Sequence, residues 1–326
     1  MKVFDLHCDT LSELRRAEMR GDGQTFAHNN GHIDLEKLEK GDYMLQCFAA
    51  FVNLADPTPG ADPLVTALEE IDVFKRMMER YSDRIAPVYR PEDIRKNVEA
   101  GKISGMLTIE EAGCCKGSLG VLRRMYELGV RMMTLTWNHE NELASPNVVP
   151  GNGPIWPCMP NTETGLKEKG FEFLAEMERL HIIADVGFWD IAEHSTRPFA
   201  ASHSNCRALA PHCRNLTDEM IRVMAEKGGL VGLNYCAGFL DDQPSPDLCR
   251  STTALMAKHA AHFKQVGGIE IIGLGSDFDG IGGKLELSDC SKMPLLADAL
   301  RKEGFTEDEV EAIFFRNAQR FFENNL

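Results

Sequence analysis

The sequence predicts an α/β fold, a (β/α)8 barrel of the TIM type. Short apolar runs rich in β-forming residues alternate with longer segments of helical periodicity, which is typical of βα units and a parallel sheet. Eight such runs occur, and eight parallel strands with helices between them favour a closed barrel over an open sheet. The runs lie at residues 3–6, 44–52, 103–109, 131–137, 182–186, 198–202, 229–235 and 269–276.

Length and periodicity indicate one domain. The 326 residues exceed the usual size of a single-core domain, but α/β barrels reach this length as one unit, so we expect one domain over residues 1–326. Between two predicted strands, Phe171, Leu174 and Met177 form one stripe of a helix predicted over 170–180. Residues 145–160 are rich in Pro, Gly and Asn, which predicts a loop that roofs a site after the fourth run.

Composition excludes several classes of protein. A formal net charge of −15 is unsuited to binding the phosphate backbone of nucleic acid. No apolar stretch reaches the roughly eighteen residues that a membrane span needs, and no secretory signal is visible at the N-terminus. The ten cysteines are scattered without a CxxC pair, which indicates mostly reduced thiols. We expect a cytoplasmic protein that binds neither nucleic acid nor membrane, and leave a homodimer open.

Polar residues of the metal-binding type follow four of the predicted strands. His7 and Asp9 follow the first run, and their side chains point the same way because they are two residues apart on an extended chain. Glu110 follows the third run, His203 the sixth and Asp277 the eighth. In a barrel of this type the carboxyl ends of the strands meet at one face, where active sites form. Nitrogen and oxygen ligands from separate strands suit zinc or a similar divalent cation.

Two other histidine patterns have structural interpretations. A second HxD triplet ends at Asp34, which we expect to cap a helix beginning at Leu35, since this triplet precedes a helix instead of ending a strand. His259 and His262 have the spacing of ligands on one helix face, but helices lie on the outside of a barrel. Packing or solvent contact is therefore the expected role of this pair.

The ordered motifs FDLHCDT, LTIEEAG, LTWN, ASHSNCRALAPHCRNLTDEM and GLGSDFDG extend along nearly the whole chain. Together they resemble the renal (membrane) dipeptidase family, peptidase family M19, in its soluble bacterial form. The resemblance implies a barrel of the metallo-dependent hydrolase kind that cleaves small dipeptides with one or two zinc ions. It also implies that His7 and Asp9 hold one zinc, that Glu110 bridges two, and that His203 binds the second.

The resemblance further implies two roles in turnover. Arg214 receives the substrate carboxylate, for which a guanidinium fork has the matching shape. Asp277 handles protons at the scissile amide, whose nitrogen is a poor leaving group unless it is protonated. A surface ion pair with Asp218 or Glu219 is the alternative for Arg214.

Two further residues are candidate substrate contacts, because loops at this face of a barrel set specificity. Tyr235 ends the seventh run, and His139 follows the fourth, where a solvent-facing loop histidine is the alternative. Should Glu110 not be the bridging ligand, Glu111 is the first substitute.

The chain departs from the family pattern after the fifth run. The family places a further metal-binding histidine there, in a DVSH-like segment, whereas this chain continues from Asp185 through Val186 and Gly187 with a connection shorter by about six residues. His181 and His194 are poorly placed to replace the missing imidazole. We expect a weakened second metal site.

Two rival functions differ in specific residues. Other barrel amidohydrolases, which act on N-acyl amino acids or cyclic amides, more often use HxH on the first strand and a bridging lysine, where this chain has HxD and a glutamate. A binding protein that kept the barrel and Arg214 but lost turnover is the non-enzymatic rival.

Overall fold

A computed structural model describes residues 1–149, 159–185 and 188–326 of the chain. The described residues contain nine strands, all parallel to their neighbours. They are β1 (Val3–Asp5), β2 (Tyr43–Phe51), β3 (Ile85–Pro87), β4 (Ile103–Glu110), β5 (Val130–Thr134), β6 (Ile183–Asp185), β7 (Ala200–Ser204), β8 (Leu230–Leu233) and β9 (Ile272–Leu274).

Eight of these strands form the closed parallel barrel that the sequence predicts. Strand β1 lies between β2 and β9, and the order continues through β8, β7, β6, β5 and β4. The ring closes because β2 also pairs with β4, from Leu45 opposite Ser104 to Phe51 opposite Glu110. Glu110 therefore lies at the carboxyl end of a long, fully paired strand.

The ninth strand, β3, corrects the sequence prediction. It pairs with the beginning of β4 and is only three residues long. Three residues give no measurable alternation of apolar and polar positions, and the proline at its end is a residue that sheets tolerate only at edges. The predicted strand 198–202 is shifted in the structure, because β7 continues through His203 to Ser204.

Helices follow most strands and surround the barrel. They are α1 (Thr10–Arg20), α2 (Leu35–Lys40), α3 (Pro63–Arg80), α4 (Pro91–Glu99), α5 (Leu119–Leu128), α6 (Glu168–Arg179), α7 (Phe188–His194), α8 (Asp218–Glu226), α9 (Ala237–Leu240), α10 (Thr253–Gly267), α11 (Met293–Glu303), α12 (Glu307–Glu311) and α13 (Asn317–Asn325), with a π-helical turn at Ala312–Arg316 and 3-10 turns at Ala112–Cys115, Pro246–Leu248, Ile269–Ile271 and Cys290–Lys292.

Local sequence signals account for two of these helices. The Asp34 side chain accepts a hydrogen bond from the Lys37 backbone N–H, so the predicted cap of α2 is confirmed. Helix α6 covers almost all of the predicted range, and Leu174 and Met177 of the expected stripe are buried. Phe173 is buried there as well, whereas Phe171 is only half-buried.

The buried side chains form one large cluster and a smaller one. The smaller cluster includes Phe4, Met106 and Leu230 from three barrel strands, and Phe322 of α13 stacks on Phe4 at 5.1 Å between ring centroids. Helix α13 thus packs against the first strand.

Most of the described cysteines are free thiols, as the sequence predicts. Eight of the ten cysteines are free, and Cys213 is disulfide-bonded. No helix within the described ranges is both long and apolar enough to cross a membrane. The shortened connection at Val186 and Gly187 lies outside the described residues, as do residues 150–158 of the predicted roofing loop.

Candidate active site

The carboxyl end of the barrel brings together the residues that the sequence singled out. His7 and Asp9 follow β1, Glu110 is the last residue of β4, and Asp277 follows β9. His203 is the last residue but one of β7. All five side chains are buried or nearly so, with exposed fractions from 2% for His7 to 13% for Asp277.

Oxygen atoms of three carboxylates surround His7 Nε2, and we call these four residues the first half of the site. Glu110 Oε2 lies 3.2 Å from His7 Nε2, Asp9 Oδ2 3.7 Å and Asp277 Oδ1 4.0 Å. Ligand atoms around a tetrahedral zinc with bonds of about 2.1 Å are roughly 3.4 Å apart. The observed spacing is therefore that of a metal coordination shell.

Two further observations agree with a cation among these atoms. His7 Nε2 and Asp9 Oδ1 are buried and make no hydrogen bond to the described residues, which is costly for polar atoms unless something else binds them. A Cβ on Gly280 would collide with Asp9 Oδ2 and lie 2.6 Å from Asp277 Oδ1, so only glycine fits beside the two carboxylates. The donor set and its surroundings fit a divalent cation.

The two oxygens of Glu110 point to different neighbours. Oε2 is the atom near His7, whereas Oε1 lies 3.5 Å from His203 Nε2. Burial opposes ionisation of Glu110, but the imidazoles of His7 and His203 hold its pKa well below the ordinary value. Burial raises the pKa of Asp9 to about 6, although His7 acts in the opposite direction. Glu110 is thus a carboxylate that reaches both sides of the site.

A hydrogen-bonded chain behind His203 fixes the orientation of its ring. Ser202 Oγ donates to Asp185 Oδ2 at 2.6 Å and lies 2.8 Å from His203 Nδ1. Thr134 Oγ1 donates to the same Asp185 oxygen, and the Ser202 N–H donates to Asp185 Oδ1. Because the serine proton goes to Asp185, His203 Nδ1 carries the proton and Nε2 is left with its lone pair, the form that binds metals. This support was not predicted from the sequence, although Asp185 lies within the fifth predicted run and ends β6.

Arg214 lies beside His203 and not at the surface. Its Nη2 is 2.9 Å from His203 Nε2 and 3.8 Å from Glu110 Oε1, and Nη1 donates to Asn138 Oδ1 at 3.3 Å. The alternative of an ion pair with Asp218 or Glu219 is wrong, because among the described residues the carboxylate near Arg214 is that of Glu110, and Asp218 pairs with His262 at 2.7 Å. We call His203, Arg214 and the Oε1 side of Glu110 the second half of the site.

Within the described residues, the second half contains one imidazole. All ten histidines of the chain are described, and only His7 and His203 belong to the two groups of potential metal ligands. His194 Nδ1 is 3.0 Å from the Asp190 carbonyl, and His181 contacts Arg197. His259 is buried and bonded to Cys206 and Leu240, which confirms a packing role. Within the described residues, none of these side chains replaces the imidazole that the family resemblance implies after the fifth predicted run, which corresponds to β6.

Asp277 is held in an unusual backbone conformation. Its φ of 60° lies in the left-handed region, which costs a residue with a Cβ about 1 kcal/mol or more. The Asn234 amide donates to Asp277 Oδ2 at 3.0 Å, so one carboxylate oxygen is fixed while Oδ1 faces His7.

A cavity of about 340 Å³ adjoins the second half of the site. His203 and Arg214 line it, together with residues 144–147 and 160–166 on either side of the undescribed part of the predicted roofing loop. Asp185 and Trp189 line the cavity as well. The described parts of the loop thus lie where the sequence analysis expected them.

Two of the other candidate residues, Tyr235 and His139, do not line this cavity. Tyr235 is fully buried, its hydroxyl is 4.0 Å from Met293 Sδ, and its ring packs edge-on against Phe278. A ring in the core cannot touch a substrate, which corrects the proposed role. His139 packs edge-on against Trp137.

Glu111 turns away from the metal ligands. Its carboxylate accepts hydrogen bonds from the N–H groups of Gly113 and Trp137 and from the Asn141 amide, and burial raises its pKa to about 7. Glu111 therefore supports the loop after β5, and Glu110 is the better placed ligand.

The sequence matches that of the membrane dipeptidases, peptidase family M19, over residues 1–325. The chain belongs to this family. A dipeptidase of Schizosaccharomyces pombe, itself uncharacterized, is 32% identical over 98% of this chain and 79% of its own length. A metallo peptidase from Rhodobacter sphaeroides, solved with a phosphinate mimic of the dipeptide L-Ala-D-Ala, superposes with a TM-score of 0.85 at 26% identity, covering 100% of this chain and 99% of that one. A second M19 structure, dipeptidase AC, gives a TM-score of 0.86 at 26% identity, with 100% and 98% of the chains covered.

These comparisons confirm the predicted family and barrel. Relatives and structural neighbours of this M19 chain are metallo-dipeptidases, hydrolases that act on peptide bonds. The chain supplies two groups of potential metal ligands, which share His7 and are completed by Glu110 and His203 or by Asp9 and Asp277.

Proposed function

We propose that this M19 chain hydrolyses the peptide bond of small dipeptides, using zinc bound by His7, Asp9 and Glu110. The observation that carries the proposal is the shell of carboxylate oxygens around His7 Nε2, at the spacing of a metal site. A cavity large enough for a small ligand adjoins the second half of the site, which shares Glu110 with this shell. The Rhodobacter sphaeroides relative binds a mimic of a dipeptide, which supports the same substrate class here.

A zinc ion held in the first half supplies Lewis acidity and lowers the pKa of a water molecule. The protein's own contribution is to fix the ligands. Glu110 is ionised and presents one oxygen to each half of the site. The dry, buried setting strengthens its attraction for a cation.

Arg214 binds the free carboxylate of the dipeptide in this proposal. Arg214 lines the cavity, and among the described residues its guanidinium makes one hydrogen bond to Asn138 and one close contact to His203, so N–H donors remain for a ligand. A charge-assisted pair of this kind is worth on the order of 2 kcal/mol. Substrates that lack the free carboxylate should therefore bind poorly.

Asp277 transfers a proton from the attacking water to the amide nitrogen in this proposal. Its Oδ1 faces the first half, and its other oxygen is held by Asn234. In this position the carboxylate accepts a proton from the attacking water and donates it to the leaving amide nitrogen. The strained backbone at this residue keeps the carboxylate on the side of the metal ligands.

We also propose that the second half binds a further cation only weakly. Among the described residues it has one imidazole and one carboxylate oxygen, and a guanidinium lies 2.9 Å from the imidazole nitrogen. An incomplete ligand set next to a fixed positive charge is a poor cation site.

The test combines metal content with substrate choice. The purified protein is treated with a chelator, dialysed, and assayed with and without added zinc on an Ala-Ala dipeptide, its C-terminal amide and N-acetylalanine. We expect zinc-dependent cleavage that strongly prefers the free dipeptide to its C-terminal amide, and no cleavage of N-acetylalanine. Preferred cleavage of N-acetylalanine would favour a different amidohydrolase, and zinc binding without cleavage of any substrate would indicate a binding protein.

A further inference from the structure

The second HxD triplet, which caps α2 through Asp34, also reaches the active-site end of the barrel through His32. The His32 backbone N–H donates to Asp279 Oδ1 at 2.6 Å, and the Asp279 backbone N–H donates to His32 Nδ1 at 2.8 Å. Thr10 Oγ1, just after the first-half ligand Asp9, donates to the other Asp279 oxygen at 2.6 Å. Asp279 is thus bonded at its backbone N–H and at both carboxylate oxygens.

The loop that carries His32 is itself rigidly held. Asn29 bonds to the backbone of Gly31 and Ile33, and Lys37 Nζ donates to the carbonyls of Asn29 and Gly31. A Cβ on Gly31 would lie 2.8 Å from an Asp279 oxygen, so the loop approaches Asp279 as closely as a glycine allows. His32 is therefore delivered from a fixed position.

Asp279 lies in the same strained turn as Asp277. Both have left-handed backbones, with φ values of 60° for Asp277 and 67° for Asp279, and Gly280 N–H bonds to the Asp277 carbonyl. Two left-handed residues with a Cβ in one turn need external contacts to hold them. Within this turn the Phe278 carbonyl accepts from the Asp9 N–H, and the Asp277 N–H donates to the His7 carbonyl. From outside the barrel strands, Thr10 of α1 contacts the Asp279 carboxylate, whereas His32 accepts the Asp279 backbone N–H.

We propose that His32 is a positioning residue for Asp277. His32 accepts a hydrogen bond from the Asp279 N–H and so holds this turn in its left-handed conformation. The conformation of the turn directs the Asp277 carboxylate toward the first half of the site. The inference rests on the proposed role of Asp277 in proton transfer. His32 touches no metal ligand and does not line the described cavity, so it acts through the turn alone.

The experiment compares four variants with the zinc-loaded wild type. His32→Ala removes the acceptor, whereas His32→Asn places Oδ1 where histidine has Nδ1 and can accept the same hydrogen bond. His28→Ala is the matched control, because His28 lies in the same loop but is exposed and faces Glu36. Asp277→Asn tests the proton-transfer role itself. For each variant, kcat and KM for a dipeptide, the melting temperature, and hydrogen exchange of the Asp279 and Gly280 amides are measured.

We expect His32→Ala to lower kcat about tenfold or more and to leave KM within about twofold of the wild-type value. The free energy that one hydrogen bond contributes corresponds to about a tenfold change in rate. Exchange of the Asp279 amide should become faster in the same variant. His32→Asn should recover most of kcat and of the protection, and His28→Ala should match the wild type.

Each contrary result has a separate meaning. Wild-type kcat in His32→Ala alongside an inactive Asp277→Asn would overturn the positioning role and leave the proposed function intact. An active Asp277→Asn would overturn the proton-transfer role itself. A loss of kcat in His32→Ala that His32→Asn does not recover, with unchanged amide exchange, would also overturn the inference, because the hydrogen bond would not be its cause.

Discussion

The two halves of the site share one carboxylate and differ in almost everything else. The first half places the carboxylates of Asp9 and Asp277 around His7, in addition to the shared Glu110, at distances that match a coordination shell. The second half offers His203, and there a guanidinium lies closer to the imidazole nitrogen than the bridging carboxylate does. The difference teaches that the two halves of one site need not be equivalent as metal positions. Four predictions follow the comparison, in order of decreasing effect.

Glu110→Gln should abolish both zinc retention and turnover. A carboxamide is neutral, so it cannot offset the charge of a cation or serve both halves as a carboxylate does. Zinc content after dialysis and dipeptide cleavage are the measurements, with Glu111→Gln as the neighbouring control. Retention of metal and rate in Glu110→Gln would mean that the halves are not joined through this residue.

Metal titration should find one tightly bound divalent ion and a second that binds at least about 100-fold more weakly. The missing imidazole is the physical reason, and activity should rise as metal is added. Inserting the family-like segment SHLSDA after Val186 should strengthen the second site. Two equivalents that survive dialysis of the unmodified protein would show that the halves are equal after all.

Arg214→Ala should raise KM for a free dipeptide by roughly 30-fold, the equivalent of about 2 kcal/mol. The C-terminal amide of the same dipeptide should be far less affected, since it has no carboxylate to lose. The comparison of the two substrates is the measurement. Equal losses would separate Arg214 from the substrate and leave it as a neighbour of His203 only.

The smallest effect that we predict is a pH-dependent change in the free energy of unfolding, caused by one buried carboxyl group, Glu70. Glu70 of α3 is 2% exposed, accepts from Ser12 of α1, and burial raises its pKa to about 8 from an ordinary value of 4.5. The folded chain therefore keeps a proton that the unfolded chain releases. The stability that this proton contributes is complete below pH 4.5 and declines as the pH rises toward 8.

Between pH 6 and pH 7 this carboxyl should reduce the free energy of unfolding by about 1.4 kcal/mol. Urea unfolding of the wild type and of Glu70→Gln measures it, because the amide cannot titrate and should remove this part of the pH dependence. Glu69→Gln is the control, as Glu69 is exposed and pairs with Arg15. Parallel pH profiles of Glu70→Gln and the wild type would contradict the prediction.

Residues at strand ends were the part of the site that sequence predicted best. The eight apolar runs place His7, Glu110 and Asp277 at one face of the barrel without any knowledge of the fold's details, because strand ends converge there. Asp34 was predictable for a similar reason, since a helix cap depends on a few neighbouring residues.

The misassigned residues depend on information that periodicity lacks. The Asn234 side chain reaches Asp277, so the next residue, Tyr235, must point the opposite way on an extended chain. A shift of one residue at the end of β8 thus moves a side chain from the site to the core. The chain from Thr134 through Asp185 and Ser202 to His203 crosses three strands, and such contacts follow from register, which single runs do not reveal.

The two oxygens of the Glu110 carboxylate face different halves of the site, which couples the binding of ligands in the two halves. Because Oε2 serves one half and Oε1 the other, any group that binds on one side changes the free energy of binding on the other. Linkage requires the change to be reciprocal and equal in both directions. A ligand that draws Arg214 away from Oε1 would therefore alter the affinity for the cation beside His7 by the same factor as that cation alters the affinity for the ligand.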